Sequence, residues 1–267
     1  MISLPSGKLF VIAGPCVIES LEQCLQIGRH VKGVCEKLGI TYVFKASFDK
    51  ANRSAGSSFR GPGLTDGLVV LDRVKHELGV PVLTDVHEPD QAIVAAKVVD
   101  ILQVPAFLAR QTDLLQAVGK TGCTVNVKKG QFMSPQEMGN AIEKIRSTGG
   151  QHILLTERGT FFGYNRLVND FTSLPIMKAF GVPVVFDITH STQQPAGQGT
   201  SSGGNPHYSP MLARTAMAAG ADGLFMECHP DPKNAKSDAA TMLDLKDVEL
   251  ILTHAKQIFD LRTHWRD

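Results

Sequence analysis

The sequence carries almost no net charge: 27 Lys and Arg stand against 26 Asp and Glu in 267 residues, a formal balance of +1. That argues against a nucleic-acid binder, which usually concentrates a basic excess on one domain. No apolar run approaches the roughly 18 residues that a bilayer span needs. Residues 1–8 show no basic segment ahead of a long apolar stretch, so no secretory signal is read there. The five cysteines are odd in number and scattered, which does not make a disulfide framework. No Gly-x-Gly-x-x-Gly follows the first strand-like run, which weakens a dinucleotide-binding sheet. No domain linker breaks the chain either. These absences leave a cytoplasmic, enzyme-sized domain over residues 1–267, with residues 1–8 as a short lead-in.

What is present is a repeat of short β-branched runs and longer amphipathic stretches. Strands are expected at residues 10–13, 42–45, 82–85, 101–104, 124–127, 152–156, 184–187 and 223–227. Each is brief and apolar on both parities, as parallel strands covered on both faces are. Ser20 with Gln23 fits a capping box, and Ser134-Pro135-Gln136-Glu137 places proline at a first helical position. Gly39, Gly79, Gly119 and Gly181 stand where helices should stop. Residues 79–85 and 181–187 echo each other as Gly-Val-Pro followed by a strand ending in Asp. Eight strand–helix units of this kind favour an α/β fold, the (β/α)₈ TIM barrel, over an open doubly wound sheet. The polar, Gly-rich residues 191–208 after strand seven read as an active-site loop.

Polar residues gather just after the strands, on the face where barrel active sites lie. They include Cys16, Lys45, Lys50, Asn52, Arg53, Asp85, His87, Gln103, Arg110, Lys128, Arg158, Asp187, His190, Glu227, His229 and Asp238. The cations Lys45, Lys50, Arg53, Arg110, Lys128 and Arg158 would form a basic mouth on a neutral body, which suits a small polyanion. A Schiff base on Lys45 or Lys128 is the competing chemistry, but neither is ringed by the acid–base partners it needs. Cys16, His190, Glu227 and Asp238 would meet above strands one, seven and eight. A thiolate, an imidazole and two carboxylates can bind a divalent transition metal, although a lone cysteine is more often a small buried hydrophobe. Cys24, Cys35, Cys123 and Cys228 are read as packing, and His30, His76, His254 and His264 as surface residues on helices.

The segment from Phe44 to Ser54, Phe-Lys-Ala-Ser-Phe-Asp-Lys-Ala-Asn-Arg-Ser, resembles the sugar-phosphate segment of 3-deoxy-D-manno-octulosonate 8-phosphate synthases. Pro105-Ala106-Phe107-Leu108-Ala109-Arg110-Gln111-Thr112, Asn126-Val127-Lys128-Lys129-Gly130-Gln131-Phe132, Phe186-Asp187-Ile188-Thr189-His190 and Glu227-Cys228-His229-Pro230 extend the resemblance in order along nearly the whole chain. It implies a barrel, assembled as a homotetramer, that condenses phosphoenolpyruvate with D-arabinose 5-phosphate in lipopolysaccharide precursor synthesis. It further implies that Lys128 and Arg158 hold the phosphoenolpyruvate phosphate, with Lys45 and Lys50 on the carboxylate side. Ser47, Asn52, Arg53 and Ser54 would address the pentose phosphate, aided by Arg110 from an adjacent subunit. Cys16 stands where metal-independent members carry Asn, so the resemblance is to the metal-dependent branch. One zinc, iron or manganese ion would then be held by Cys16, His190, Glu227 and Asp238. Ala55 departs from the Ser usual there, and Cys228 beside Glu227 is a thiol that could attract soft metals.

The implied chemistry joins C3 of the enol phosphate to the sugar aldehyde while water adds at C2. His190 is a candidate proton relay, and Asp85 and Asp187 are candidates for orienting lysine or water. Two rivals remain. The sister 3-deoxy-arabino-heptulosonate 7-phosphate synthase would carry a Lys-Pro-Arg-Thr-type segment in place of Lys50-Ala51-Asn52-Arg53. A non-catalytic sugar-phosphate-binding barrel would have no need of both cation groups and all four presumed ligands.

Overall fold

Strands that are apolar on both parities need cover on both faces, and the chain supplies it by closing on itself. The computed structural model describes residue 4 and residues 7–51, 58–195, 197 and 202–265. Its main strands are β1 (Phe10–Gly14), β2 (Thr41–Lys45), β3 (Val82–Asp85), β4 (Ile101–Val104), β5 (Thr124–Lys128), β6 (Ile153–Glu157), β7 (Val184–Asp187) and β8 (Gly223–His229). They pair in sequence order, all parallel, and β8 returns to β1 from Phe10↔Gly223 to Gly14↔Glu227. The ring is therefore the expected (β/α)₈ barrel. Leu243–Asp244 adds a short parallel strand to the far end of β8.

The outer layer is α1 (Leu21–Leu38), α2 (Leu64–Leu78), α3 (Pro89–Ala95), α4 (Thr112–Lys120), α5 (Met138–Arg146), α6 (Ser173–Lys178), α7 (Ser209–Ala218) and α8 (Val248–Arg262). None of the described helices is long and apolar enough to cross a membrane. Ser20 caps α1 by accepting from Gln23 N, and Gly39 ends it in the left-handed region at φ 66°. The reciprocal half of the capping box is not made, because the Gln23 amide turns instead to His229 and Glu19. Ser134 does not open α5. The Glu137 carboxylate accepts from the Ser134 N–H and hydroxyl in a turn, and the helix starts at Met138. Gly119 likewise does not stop α4 but lies within it, where a Cβ would fall 2.3 Å from Thr148 Oγ1 and 2.6 Å from the Ile145 carbonyl. That glycine lets α4 and the end of α5 pack closely.

The period of two along each strand sorts the core. One parity, with Val11, Phe44, Leu102, Val127, Leu155, Phe186 and Met226, packs beneath the helices. The other fills the barrel floor with Phe10, Ile12, Val43, Leu83, Ile101, Leu154, Val185 and Phe225, against which Leu4 packs. Gly223 makes room for Phe10, since a Cβ there would lie 2.5 Å from that ring. Two residues further along the inward parity the strands turn polar: Lys45, Asp85, Gln103, Thr156, Asp187 and Glu227. The barrel is thus apolar at its floor and charged at the C-terminal ends of its strands.

Candidate active site

The charged layer is built on a chain of side-chain hydrogen bonds that crosses neighbouring strands. The Ser47 hydroxyl donates to Asp85 Oδ2 at 2.7 Å, and Gln103 Nε2 donates to Asp85 Oδ1 at 2.8 Å. Asn126 Nδ2 donates to Gln103 Oε1, and the Thr156 hydroxyl donates to Asn126 Oδ1. Each amide is oriented by what it accepts and donates, so the row is rigid. Lys50 Nζ stands 3.8 Å from Asp85 Oδ2. Burial opposes the Asp85 charge, but Lys45, Lys50, His87 and the Ser47 hydrogen bond together outweigh it and hold the carboxyl below its ordinary range.

Asp187, at the end of β7, organises the next group. Its Oδ1 accepts the backbone N–H of Thr189 and His190. Its Oδ2 lies 2.7 Å from His190 Nδ1 and 2.6 Å from Lys128 Nζ. Burial again opposes the charge, yet His190 and Lys128 outweigh it and keep Asp187 ionised. A carboxylate at Nδ1 places the imidazole proton there and leaves the Nε2 lone pair available. His190 Nε2 faces Glu227 Oε2 at 3.5 Å and Asp238 Oδ2 at 3.9 Å.

Those two carboxylates converge on Cys16. The sulfur and one oxygen each of Glu227 and Asp238 all lie within 4.8 Å of one another. Lys45 Nζ donates to Glu227 Oε1 and, at 2.8 Å, to the Cys16 carbonyl. Glu227 Oε2 is buried and receives no hydrogen bond, an expensive arrangement unless a further positive group belongs there. Burial, with the Asp238 and Glu227 charges, pushes the Cys16 thiol well up, against Lys50 and Lys45. Asp238 itself adopts φ 49°, a left-handed conformation that aspartate tolerates better than most residues. The donor set of one sulfur, one imidazole nitrogen and two carboxylates, with its orphaned oxygen, fits a divalent transition metal.

A cavity of about 470 Å³ opens over this layer, lined among others by Lys45, Lys50, Asp85, Lys128, Arg158, His190, Glu227 and Asp238. Cys16, Ser47 and Asp187 stand directly behind, bonded to those lining residues. Arg158 donates to Gln193 through one terminal nitrogen, while its buried Nη1 has no partner. Arg110 is exposed and is not among the residues lining the cavity. Asn52, Arg53, Ser54 and Ala55 lie outside the described residues. Of residues 191–208, those described form part of the wall: Gln193–Gln194 pairs with Gly203–Gly204, and Gln193, Pro195 and Ser202 line the cavity.

Several side chains resolve differently from the sequence reading. His229 is held by Gln23, the Asp231 N–H and Glu19, away from the cavity. His87 does line it, with a buried Nδ1 that has no partner. Cys228 is fully buried in the layer under the helices, and burial, with the Glu227 charge beside it, pushes its thiol well up; its parity turns it from the cavity. It offers no stray ligand there. Lys45 and Lys128 are each bonded to a carboxylate; burial nonetheless lowers the pKa of the Lys128 ammonium, against the Asp187 and Glu227 charges. Gln131 and Lys236 line the cavity without having been singled out, and Ser237, next to Asp238, lines it too. Asn126 and Thr156 were also missed, although the period of two already points both inward.

A family model described as the DAHP synthetase I family matches residues 5–263. Curated proteins named 2-dehydro-3-deoxyphosphooctonate aldolase align with nearly the whole chain. The one from Cyanothece sp. is 54% identical over 98% of this chain and 95% of its own. Those from Koribacter versatilis and Protochlamydia amoebophila are 55% and 50% identical, each over 96% of this chain and over 93% and 94% of their own. With a closed parallel barrel and a match that spans all but its ends, the chain belongs to the DAHP synthetase I family.

Proposed function

We propose that the chain condenses phosphoenolpyruvate with D-arabinose 5-phosphate and water, giving 3-deoxy-D-manno-octulosonate 8-phosphate and inorganic phosphate. The observation that carries this reading is near full-length identity of 54% and 55% to proteins named for that eight-carbon acid. The cavity supports it independently, because buried cations at its base suit two anionic reactants. Arg158, with its unpartnered Nη1, and Lys128 receive the phosphoenolpyruvate phosphate, and Lys45 and Lys50 flank its carboxylate. Ser47, Asn52, Arg53 and Ser54 take the pentose side. Arg110, exposed outside its own cavity, serves the site of a neighbouring copy in a homotetramer.

In the reaction, C3 of the enol phosphate forms a bond to the aldehyde carbon, and a water oxygen adds at C2 as positive charge develops there. The resulting hemiketal phosphate collapses with cleavage of its C2–O bond and release of phosphate. Cys16, His190, Glu227 and Asp238 hold one divalent metal, which when bound supplies Lewis-acid polarisation to an oxygen of the reactants or to water. Asp187 keeps the His190 ring in one tautomer and orientation. Asp85 and Asp187 are held ionised, so they act as fixed acceptors that orient Ser47, Gln103, Lys128 and His190 and are poor general acids. Catalysis here is mainly positioning and charge stabilisation.

The family description names the sister seven-carbon activity, so the test compares sugars. Purified protein is incubated with phosphoenolpyruvate and either D-arabinose 5-phosphate or erythrose 4-phosphate, with and without chelator. Phosphate release with the pentose, lost on chelation and restored by a divalent transition metal, is expected. Faster release with erythrose 4-phosphate overturns the substrate assignment. Binding of both reactants without turnover assigns a binding barrel, and chelator-insensitive turnover removes the metal.

A further inference from the structure

Cys16 has little freedom apart from its side-chain torsion. Its carbonyl accepts from Lys45 Nζ at 2.8 Å and from the Ser47 N–H at 3.4 Å. Its sulfur lies 3.1 Å from Ser237 Oγ and 3.2 Å from Asp238 Oδ2. One S–H proton cannot serve both acceptors, and a hydroxyl, unlike a carboxylate, carries a proton in every charge state. The hydroxyl here is that of Ser237. The segment carrying it is pinned on both sides: the Lys236 N–H donates to Glu19 Oε1, and the Asp238 carbonyl accepts from the Thr241 and Met242 N–H groups. Cys16 and Ser237 are 1% and 2% exposed, so water does not compete for the sulfur and a hydrogen bond to it is strong.

We propose that Ser237 is a positioning residue for the metal centre: its hydroxyl donates a hydrogen bond to the Cys16 sulfur, fixing the direction of that sulfur and reducing the electron density it gives the metal. This rests on the metal reading above and extends it by one residue outside the ligand set. Partners of this kind orient ligands and are worth about 10–100-fold in metal affinity. Serine at 237 is therefore part of what makes Cys16 a ligand with one orientation.

The test uses cobalt(II) added to metal-free full-length protein, read by the sulfur-to-cobalt charge-transfer band and by competition with a chromophoric chelator. Ser237→Ala is expected to lower cobalt affinity about 10–100-fold and to move the band to longer wavelength. Ser237→Thr, which keeps the hydroxyl, restores both. If Ser237→Ala leaves band and affinity unchanged, or weakens affinity without moving the band, the inference fails while the metal centre stands. If the unaltered protein shows no sulfur-to-cobalt band, the metal reading fails and takes this inference with it. Should Ser237→Ala not fold, the cobalt–sulfur stretch of the unaltered protein decides. A shift on transfer to D₂O is expected from the exchangeable Ser237 proton hydrogen-bonded to the sulfur, and no shift refutes it.

Discussion

Asp187→Asn is the most informative single change in the charged layer. The carboxylate accepts four hydrogen bonds, two from backbone N–H groups and one each from His190 and Lys128. An asparagine has one oxygen for these donors. If that oxygen keeps the Thr189 and His190 N–H groups, the NH₂ group must face both Lys128 Nζ and His190 Nδ1. It then repels an ammonium from which Asp187 Oδ2 now stands 2.6 Å away. It also donates to Nδ1, moving the ring proton to Nε2, the nitrogen that faces Glu227 and Asp238. One isosteric change therefore breaks an ion pair and inverts a tautomer.

Breaking a buried pair by removing one partner costs about 3–5 kcal/mol. For a chain of this size that corresponds to a drop of about 6–20 °C in Tm, taking roughly 2–4 °C per kcal/mol. Inverting the tautomer acts separately, on cobalt or zinc affinity, by about 10–100-fold. Thermal unfolding at fixed protein concentration reads the first effect, and chelator competition below the unfolding range reads the second. A variant that unfolds early but binds metal as the unaltered protein does would refute the tautomer argument. A variant with unchanged Tm would refute the description of the Lys128–Asp187 pair as buried and mutually dependent.

Two further outcomes are expected. At Gly14 a Cβ would stand 1.9 Å from the Lys45 carbonyl, whereas at exposed Gly33 within α1 nothing lies within 4 Å. Gly14→Ala should therefore lose more than about 4 kcal/mol or fail to accumulate, while Gly33→Ala should gain about 0.5–1 kcal/mol; urea unfolding giving equal effects would refute the packing argument. The depressed pKa of Asp85 contributes stability that is complete above the unfolded-state value of about 3.9 and fades as pH falls through the lower folded value. The stability gap between the unaltered protein and Asp85→Asn should accordingly be flat from pH 7 to 5 and narrow below about pH 4; a gap that widens on acidification would contradict the sign.

Strand positions were legible because they depend on a local rule. A strand covered on both faces is a short apolar run, and each expected range falls within two residues of the observed one at either end. The nearness of Cys16 and Glu227 was legible for a topological reason: closure makes β1 and β8 neighbours, and the donor atoms of Cys16, Glu227 and Asp238 lie within 4.8 Å of one another, while His190, from the end of β7, faces the two carboxylates. What escaped the sequence depends on choices among distant partners. Gln23 has the right spacing for a capping box but bonds His229, 206 residues away. Gly119 has the look of a helix stop, and only the approach of Thr148 and Ile145 gives it another use. Ser237 stands beside Asp238 in the sequence, but only the fold brings it to the sulfur of Cys16.

The cation count also changes meaning once partners are known. Read from the sequence, Lys45, Lys50 and Lys128 are three positive charges waiting for an anion. In the folded chain Lys45 is bonded to Glu227, Lys128 to Asp187, and Lys50 lies near Asp85. Those carboxylates make it possible to bury the lysines, since an isolated buried ammonium is far more costly. They also cancel much of the attraction that the lysines would exert on a phosphate. Uncompensated positive potential comes from Arg158, whose Nη1 has no partner, and the dication proposed for Cys16, His190, Glu227 and Asp238 would add to it. Glu227 Oε2, the oxygen that Lys45 leaves without a hydrogen bond, would be available to that metal. Such a metal would then do more than chemistry at one atom, because its charge would stand beside lysines whose own carboxylate partners already offset them.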